Sequence, residues 1–233
     1  MTRDIWIGIE LAEGSAQGWR FDAGSVLDHA TGRDAGDVAG RLGGDAALIV
    51  GGGADTQTVP ARALPEALPM AALVQDSPRG HLCPAARLRV AGVLSRRKDW
   101  EGVICVAMAD VTHWCQISAE EIVRFQSALP GRLVRALGAG GTVDPQALSD
   151  TISRPERLAV HLRAADLAGN AAALAGHLAG AELAAMRPYW LGQRVIVIGP
   201  DARCAAALET QGVPVEIISA EEAARDGLLA VRG

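Results

Sequence analysis

Lysine is all but missing from this 233-residue chain: among its 22 basic residues only Lys98 is a lysine. A phosphate-gripping lysine is therefore nearly excluded. The 27 acidic residues outweigh the basic ones, leaving a formal net charge of −5. No concentrated basic face of the kind that neutralises a nucleic-acid backbone is visible. Aromatic residues make up 3%. The four cysteines, Cys83, Cys105, Cys115 and Cys204, show no CxxC or CxxH spacing, and the five histidines are scattered. Metal and disulfide frameworks are both disfavoured. No apolar run approaches the ~20 residues of a membrane span, and no apolar leader follows Met1. The expectation is a soluble protein of the reducing cytoplasm. What the chain does have is apolar content, 49%, with a mean hydropathy of +0.17. That is enough for a substantial core in one large domain or two small ones.

Ile5 to Ile9, Ala16 to Phe21 and Ser25 to His29 read as three short strands joined by tight turns, a β-meander. A weak helical pattern follows from Asp34 to Leu42, then a buried strand, Ala46 to Val50, runs into Gly51-Gly52-Gly53. Residues 60–78 read as proline-rich loop with one short strand near Ala71 to Val74. Ala85 to Arg96 is helical, ending in the cluster Arg96-Arg97-Lys98, which complements the helix macrodipole. A second meander spans 103–127, so a βββ unit followed by helices occurs twice. The remainder predicts helix over 145–165, a long Ala-rich helix from about 165 to 186, a strand from Arg194 to Ile198, helix 202–211, strand 213–218 and helix 220–231. Asp201 stands at an N-cap position and Gly212 just past a helix end.

Several stretches resemble the 2-dehydro-3-deoxygalactonokinase family in sequence and not only in layout. They are Trp100-Glu101-Gly102-Val103-Ile104-Cys105, Ile117-Ser118-Ala119-Glu120-Glu121-Ile122-Val123 with Phe125, Gly180-Ala181-Glu182-Leu183, and Arg187-Pro188-Tyr189-Trp190-Leu191-Gly192. The likeness continues through Gly199, Gln211-Gly212-Val213-Pro214-Val215, and Ala220-Glu221-Glu222-Ala223-Ala224 to Gly227-Leu228. The resemblance implies an α/β, two-lobed actin-like ATPase (ribonuclease H-like) fold built from duplicated βββαβα units. It also implies an N-terminal lobe over 1–98 with the first phosphate loop and substrate side, and a C-terminal lobe over 99–233 with the second phosphate loop and adenosine region. The activity implied is ATP- and Mg²⁺-dependent phosphoryl transfer to a six-carbon sugar acid between the lobes, with nucleotide and sugar acid as partners. The oligomeric state stays open, with the Ala-rich C-terminal helices offering a dimer face for a homo-oligomer. Relatives of this kind are longer, so 233 residues reads as short for two lobes and a substrate lid.

Carried over residue by residue, the family's motifs survive in fragments. Where it has Asp-Trp-Gly-Thr-Ser, this chain has Glu10-Leu11-Ala12-Glu13-Gly14-Ser15, so Glu10, Gly14 and Ser15 are the nucleotide-side candidates. Glu13 adds a negative charge where a phosphate would approach, and an ordinary hairpin accounts for the same residues. The substrate loop keeps Gly51 and Gln57 and loses its arginine and tryptophan, with Arg62 a neighbouring cation. An Arg-Gly-Glu-Glu run is replaced by Cys83-Pro84-Ala85-Ala86-Arg87, and no carboxylate lies between His81 and Asp99 to act as base. The second phosphate loop reads Ala107 to Trp114, with Asp110 where an anion would bind, and a Thr-Gly-Glu-Leu signature has become Pro130-Gly131-Arg132-Leu133. Gly199 is the candidate on the adenosine side, while Gly176 and Gly180 read first as helix-packing positions. No catalytic residue and no metal ligand is assigned. A working kinase, a kinase relative with changed substrate, and a pseudokinase kept as a ligand-binding or regulatory scaffold all remain open.

Overall fold

The computed structural model describes residues 4–199 and 202–233, apart from the side chains of Ala202 and Arg203. The chain divides into two compact units, one formed by 1–100, 118–124 and 219–233, the other by 101–117 and 125–218. Among the described residues no helix is long and apolar enough to cross a membrane.

In the first unit, β1 (Ile5–Ala12), β2 (Ser15–Asp22) and β3 (Ser25–Gly32) form the expected meander, and β4 (Leu48–Val50) joins β1 in parallel to give the order β3-β2-β1-β4. Glu13 and Gly14 both take positive φ, 52° and 80°, as a tight two-residue hairpin turn requires. Alternation along β1 sorts its side chains. Ile7 and Ile9 pack with Ala16, Val38 and Leu42 beneath α1 (Ala35–Arg41), whose N-cap Asp34 accepts from the Asp37 amide. Trp6, Gly8 and Glu10 face the other way. There Trp6, Trp19 and Phe21 meet Leu88 of α2 (Pro84–Ser95) and Leu228 of α9 (Ala220–Arg232).

The helices α2 and α9 pack at Gly92 and Gly227. A Cβ on Gly92 would stand 2.0 Å from the Ala223 carbonyl oxygen, and one on Gly227 would stand 2.3 Å from that of Leu88. The proline-rich segment is less loop-like than its sequence suggests. It holds β6 (Ala61–Arg62) and β7 (Ala72–Asp76) and is flanked by β5 (Thr56–Thr58) and β8 (Arg79–Leu82), with a sheet in the order β5-β7-β8. Arg87 secures it, its guanidinium donating to the carbonyls of Arg62, Ala71 and Ala63 at 2.7, 3.0 and 3.1 Å.

The second unit is built on a sheet in which β9 (Gly102–Ala107) lies between β12 (Val195–Ile198), parallel to it, and β10 (Thr112–Ser118), antiparallel. β13 (Val215–Ile218) lies outside β12, and β11 (Glu121–Ala128) lies beyond β10. The tip of the β10–β11 hairpin belongs to the first unit, where Glu121 and Ile122 pair with β6. Every residue of β9 is buried, consistent with its continuous apolar run.

The helical expectations are corrected in detail. Residues 145–165 are interrupted at Pro155, giving α4 (Pro145–Ser153), a 3-10 turn (Pro155–Arg157) and α5 (Leu158–Leu167). The long Ala-rich helix is two helices, because Gly169 takes φ +61° and Asn170 caps α6 (Ala171–Ala185) by accepting from the Ala173 amide. α3 (Pro130–Ala136), α7 (Arg187–Trp190) and α8 (Ala202–Thr210) complete the unit. The proposed N-cap at Asp201 and the Gly199-Pro200 step fall partly outside the described residues. Gly176 and Gly180 do pack: a Cβ on either would lie 2.6 Å from a carbonyl oxygen, of Asp144 or Leu148. Residues 174–178, Gly180 and Leu183 of α6 are buried, so that much of the apolar surface offered as a dimer face is spent on internal packing.

Candidate functional site

In the first unit the sequence candidates gather at the carboxyl ends of the parallel strands β1 and β4, where ligand sites of open α/β sheets form. Glu10 lies beside Val50 in register, and a Cβ on Gly51 would come within 2.4 Å of the Leu11 carbonyl oxygen. Gly51, at φ +121°, is thus fixed by close backbone approach. Gly14 supplies the hairpin turn, and the Ser15 hydroxyl donates to the Ala12 carbonyl at 2.9 Å. Glu13 is exposed on the same turn.

Glu10 is 0% exposed. Its Oε1 accepts from Arg89 Nε at 2.7 Å, and its Oε2 accepts from Arg89 Nη2 at 2.9 Å and from Gln17 Nε2 at 2.5 Å. This is a bidentate, buried ion pair. Both carboxylate oxygens already hold charged or polar donors. Arg89 is the functional-site neighbour that sequence reasoning missed. The α2 helix was searched for carboxylates, whereas the signal was a cation in an otherwise apolar stretch opposite an acid on the inward face of β1.

Gln57 is not with these residues. It lines a polar surface pocket of about 520 Å³ together with Arg62, Glu66, Arg87 and Glu121. Arg62 there pairs with Glu120 at 2.7 Å. The cation considered as a replacement for the lost substrate arginine therefore does lie near Gln57, already engaged by a carboxylate.

In the second unit Asp110 is paired with Arg132, 3.4 Å away, and with Arg135, both on α3. Gly131 is held by packing, since a Cβ there would stand 1.9 Å from the Ala109 carbonyl oxygen. Gly199, at φ +143°, has the same kind of cause: its Cβ would meet the Ala107 carbonyl oxygen at 2.7 Å. Strand alternation sends Thr112 and Trp114 toward α6, where both donate to Glu182 Oε1, Trp114 Nε1 at 2.9 Å. His113 faces the other side and meets Ser127 Oγ at 2.8 Å. Met108, Thr112, Gly131, Leu178, Glu182 and Cys204 are among the residues lining a small, mostly apolar cavity of about 40 Å³. Glu182→Ala is expected to lower stability by about 1–3 kcal/mol, because the buried Trp114 indole N–H and the Thr112 hydroxyl lose their acceptor. Glu182→Gln, which keeps an acceptor, should lose less in the same thermal melts.

None of the three perturbed thiols is poised as a nucleophile. Cys105 is raised by its hydrogen bond with Cys204, 3.8 Å away, and by burial; Cys115 and Cys83 are raised by burial. Among the described residues no cluster of three His, Cys, Asp or Glu side chains is placed to hold a metal ion.

A family model described as 2-keto-3-deoxy-galactonokinase matches residues 87–231, well over half the chain. The protein belongs to this family. No curated protein matches it in sequence. In structure it is similar to a Sinorhizobium meliloti protein assigned as a 2-dehydro-3-deoxygalactonokinase, at 19% identity and TM-score 0.79, covering 97% of each chain. It is more distantly similar to the activator of 2-hydroxyisocaproyl-CoA dehydratase from Clostridium difficile, solved with ADPNP (12% identity, TM-score 0.51, 97% of this chain and 92% of that one). The (R)-2-hydroxyglutaryl-CoA dehydratase component A of Acidaminococcus fermentans gives 12% identity and TM-score 0.53, over 97% and 95%. These likenesses establish the actin-like ATPase fold that the duplicated βββ layout implied. They also correct the reading of the chain as short, since the Sinorhizobium protein is covered almost end to end. In this 2-keto-3-deoxy-galactonokinase family member, the retained glycines 131 and 199 each answer to a measurable backbone approach.

Proposed function

We propose that this family member keeps the kinase fold as a ligand-binding scaffold and does not itself transfer a phosphoryl group to a sugar acid. Transfer needs a metal-held polyphosphate, donors around it and a base for the attacking hydroxyl. The observation that supports the reading is the state of Glu10. The acid at the family's first phosphate motif is fully buried and saturated by Arg89 and Gln17. A carboxylate so engaged does not suit Mg²⁺, directly or through water, without breaking a buried ion pair. The α2 helix meanwhile supplies two arginines and no base. The residues present therefore do not fit Mg-ATP in the family's manner. A cytoplasmic setting suits the free thiols of this chain.

A working 2-dehydro-3-deoxygalactonate kinase is the second reading, favoured by the family match and by the polar pocket that Gln57 shares with Arg62. Incubation with Mg-ATP and 2-dehydro-3-deoxygalactonate, with ADP as the readout, separates the two. The expected result is no ADP above background in the wild type. ADP formation that disappears in Glu10→Ala would overturn the scaffold reading.

A further inference from the structure

Three side chains on three consecutive helices of the second unit meet without any part in the family's chemistry. Thr151 of α4 is fully buried, and its hydroxyl lies 3.0 Å from His161 Nδ1 on α5 and 2.9 Å from His177 Nδ1 on α6. The two imidazole rings are 4.8 Å apart between centroids. A hydroxyl has one proton to give and lone pairs to accept with. The hydroxyl and both imidazole nitrogens are satisfied among themselves only when one ring presents a bare Nδ1 and the other an Nδ1–H. Protonating the bare nitrogen leaves two donors facing the hydroxyl, whose own hydrogen then loses its acceptor in the pair. Protonating both rings adds two like charges in contact.

We propose that Thr151, His161 and His177 form an acid-released latch that holds α5 against α4 and α6 near neutral pH and lets it go in acid. The α4–α6 pair does not depend on the latch, because Gly176 and Gly180 seat their backbones together. α5 does depend on it. Ala165 is its one buried residue, while Val160 and Leu167 are 61% and 70% exposed.

The charges around the latch favour this direction. Burial lowers the His177 pKa, as does His161, while the hydrogen bond to the Ala147 backbone and the charges of Asp150 and Asp144 of α4 oppose them, and the net shift is downward. Asp144 is engaged in capping α4, and Asp150 accepts from the Gln146 amide side chain. Arg154, Glu156 and Arg157 around the 3-10 turn, Arg187 of α7 and Glu209 of α8 are exposed. Arg163 and Asp166 of α5 pair with each other, and Arg132 and Arg135 of α3 pair with Asp110. A histidine lowered in the folded state leaves the unfolded chain binding more protons. Its contribution is complete above the ordinary histidine pKa near 6.5 and declines as pH falls toward the folded value.

Hydrogen exchange of the whole protein at pH 7.5 and 5.0, corrected for intrinsic rates, tests the latch. Protection of amides 158–167 should be lost at pH 5.0 while β9 stays protected. His177→Asn, which keeps a hydrogen-bonding group in place of Nδ1 but does not titrate, should lose the pH dependence. Thr151→Val should leave α5 weakly protected at both pH values. Equal wild-type protection at the two pH values, an unchanged acid response in His177→Asn, or simultaneous loss in β9 would each overturn the proposal.

Discussion

Replacing Arg89 with methionine is expected to lower the unfolding free energy by about 3–5 kcal/mol, the usual consequence of leaving one member of a buried ion pair without its partner. The side chains are 8% and 0% exposed, so water cannot take over the solvation of the Glu10 carboxylate. Gln17 would remain as its one polar donor in the pair's immediate surroundings. Replacing both charges with apolar side chains, as in Glu10→Met with Arg89→Met, should recover most of the loss. Such an exchange removes the desolvation of two ions together with their attraction. Urea unfolding of the two single variants and the double variant gives the coupling directly. A single Arg89→Met change of less than about 1 kcal/mol would mean that Glu10 is not held as a structural charge, and the scaffold reading would lose its main support.

Gly92→Ala should be nearly as costly, about 3 kcal/mol, at the upper end of what overpacking a filled site causes. The added methyl would stand 2.0 Å from the Ala223 carbonyl oxygen and 2.6 Å from the Gly227 nitrogen, both backbone atoms that cannot rotate away. Relief requires α2 and α9 to separate, which would draw Leu228 out of the cluster it shares with Trp6, Trp19 and Leu88. The expected signature is a lower melting temperature with early loss of amide protection in 220–232. Gly53→Ala serves as a control, because nothing lies within 4 Å of its added Cβ. Unchanged melting in Gly92→Ala would refute the close helix crossing.

Much of the scaffold was legible because local patterns and buried faces coincide. The alternation in Ile5 to Glu10, the continuous apolar run of 102–107 and the duplicated meander each report the burial that the sheets impose. Chain breaks were legible only where their chemistry was weighed. Pro155 and Gly169 stop helices within segments whose apolar pattern runs straight through them, and the pattern outweighed the breakers. The candidate site was less legible for a different reason. Glu10, Gly14, Ser15, Gly51, Gln57 and Gly199 were chosen by likeness to motifs. Four gather at one sheet edge, Gln57 lies in a separate surface pocket, and Gly199 belongs to the other unit. A motif position names a residue type but not the partner that has engaged it.

The sequence by itself determined the composition of the cores, the doubled βββ layout, the family, and the loss of phosphate-loop lysine, substrate tryptophan and helix-borne acids. These are properties of single positions and short periods. Only the tertiary structure decided that Glu10 is neutralised by a residue 79 positions away, that Asp110 is paired by arginines of α3, and that the C-terminal helix returns to pack on α2. It also placed two histidines from different helices on one threonine hydroxyl. The physical reason is that charge compensation and close backbone approach depend on which groups share a small volume. In a folded chain that sharing is set by long-range packing, which leaves no periodic trace in the order of the residues.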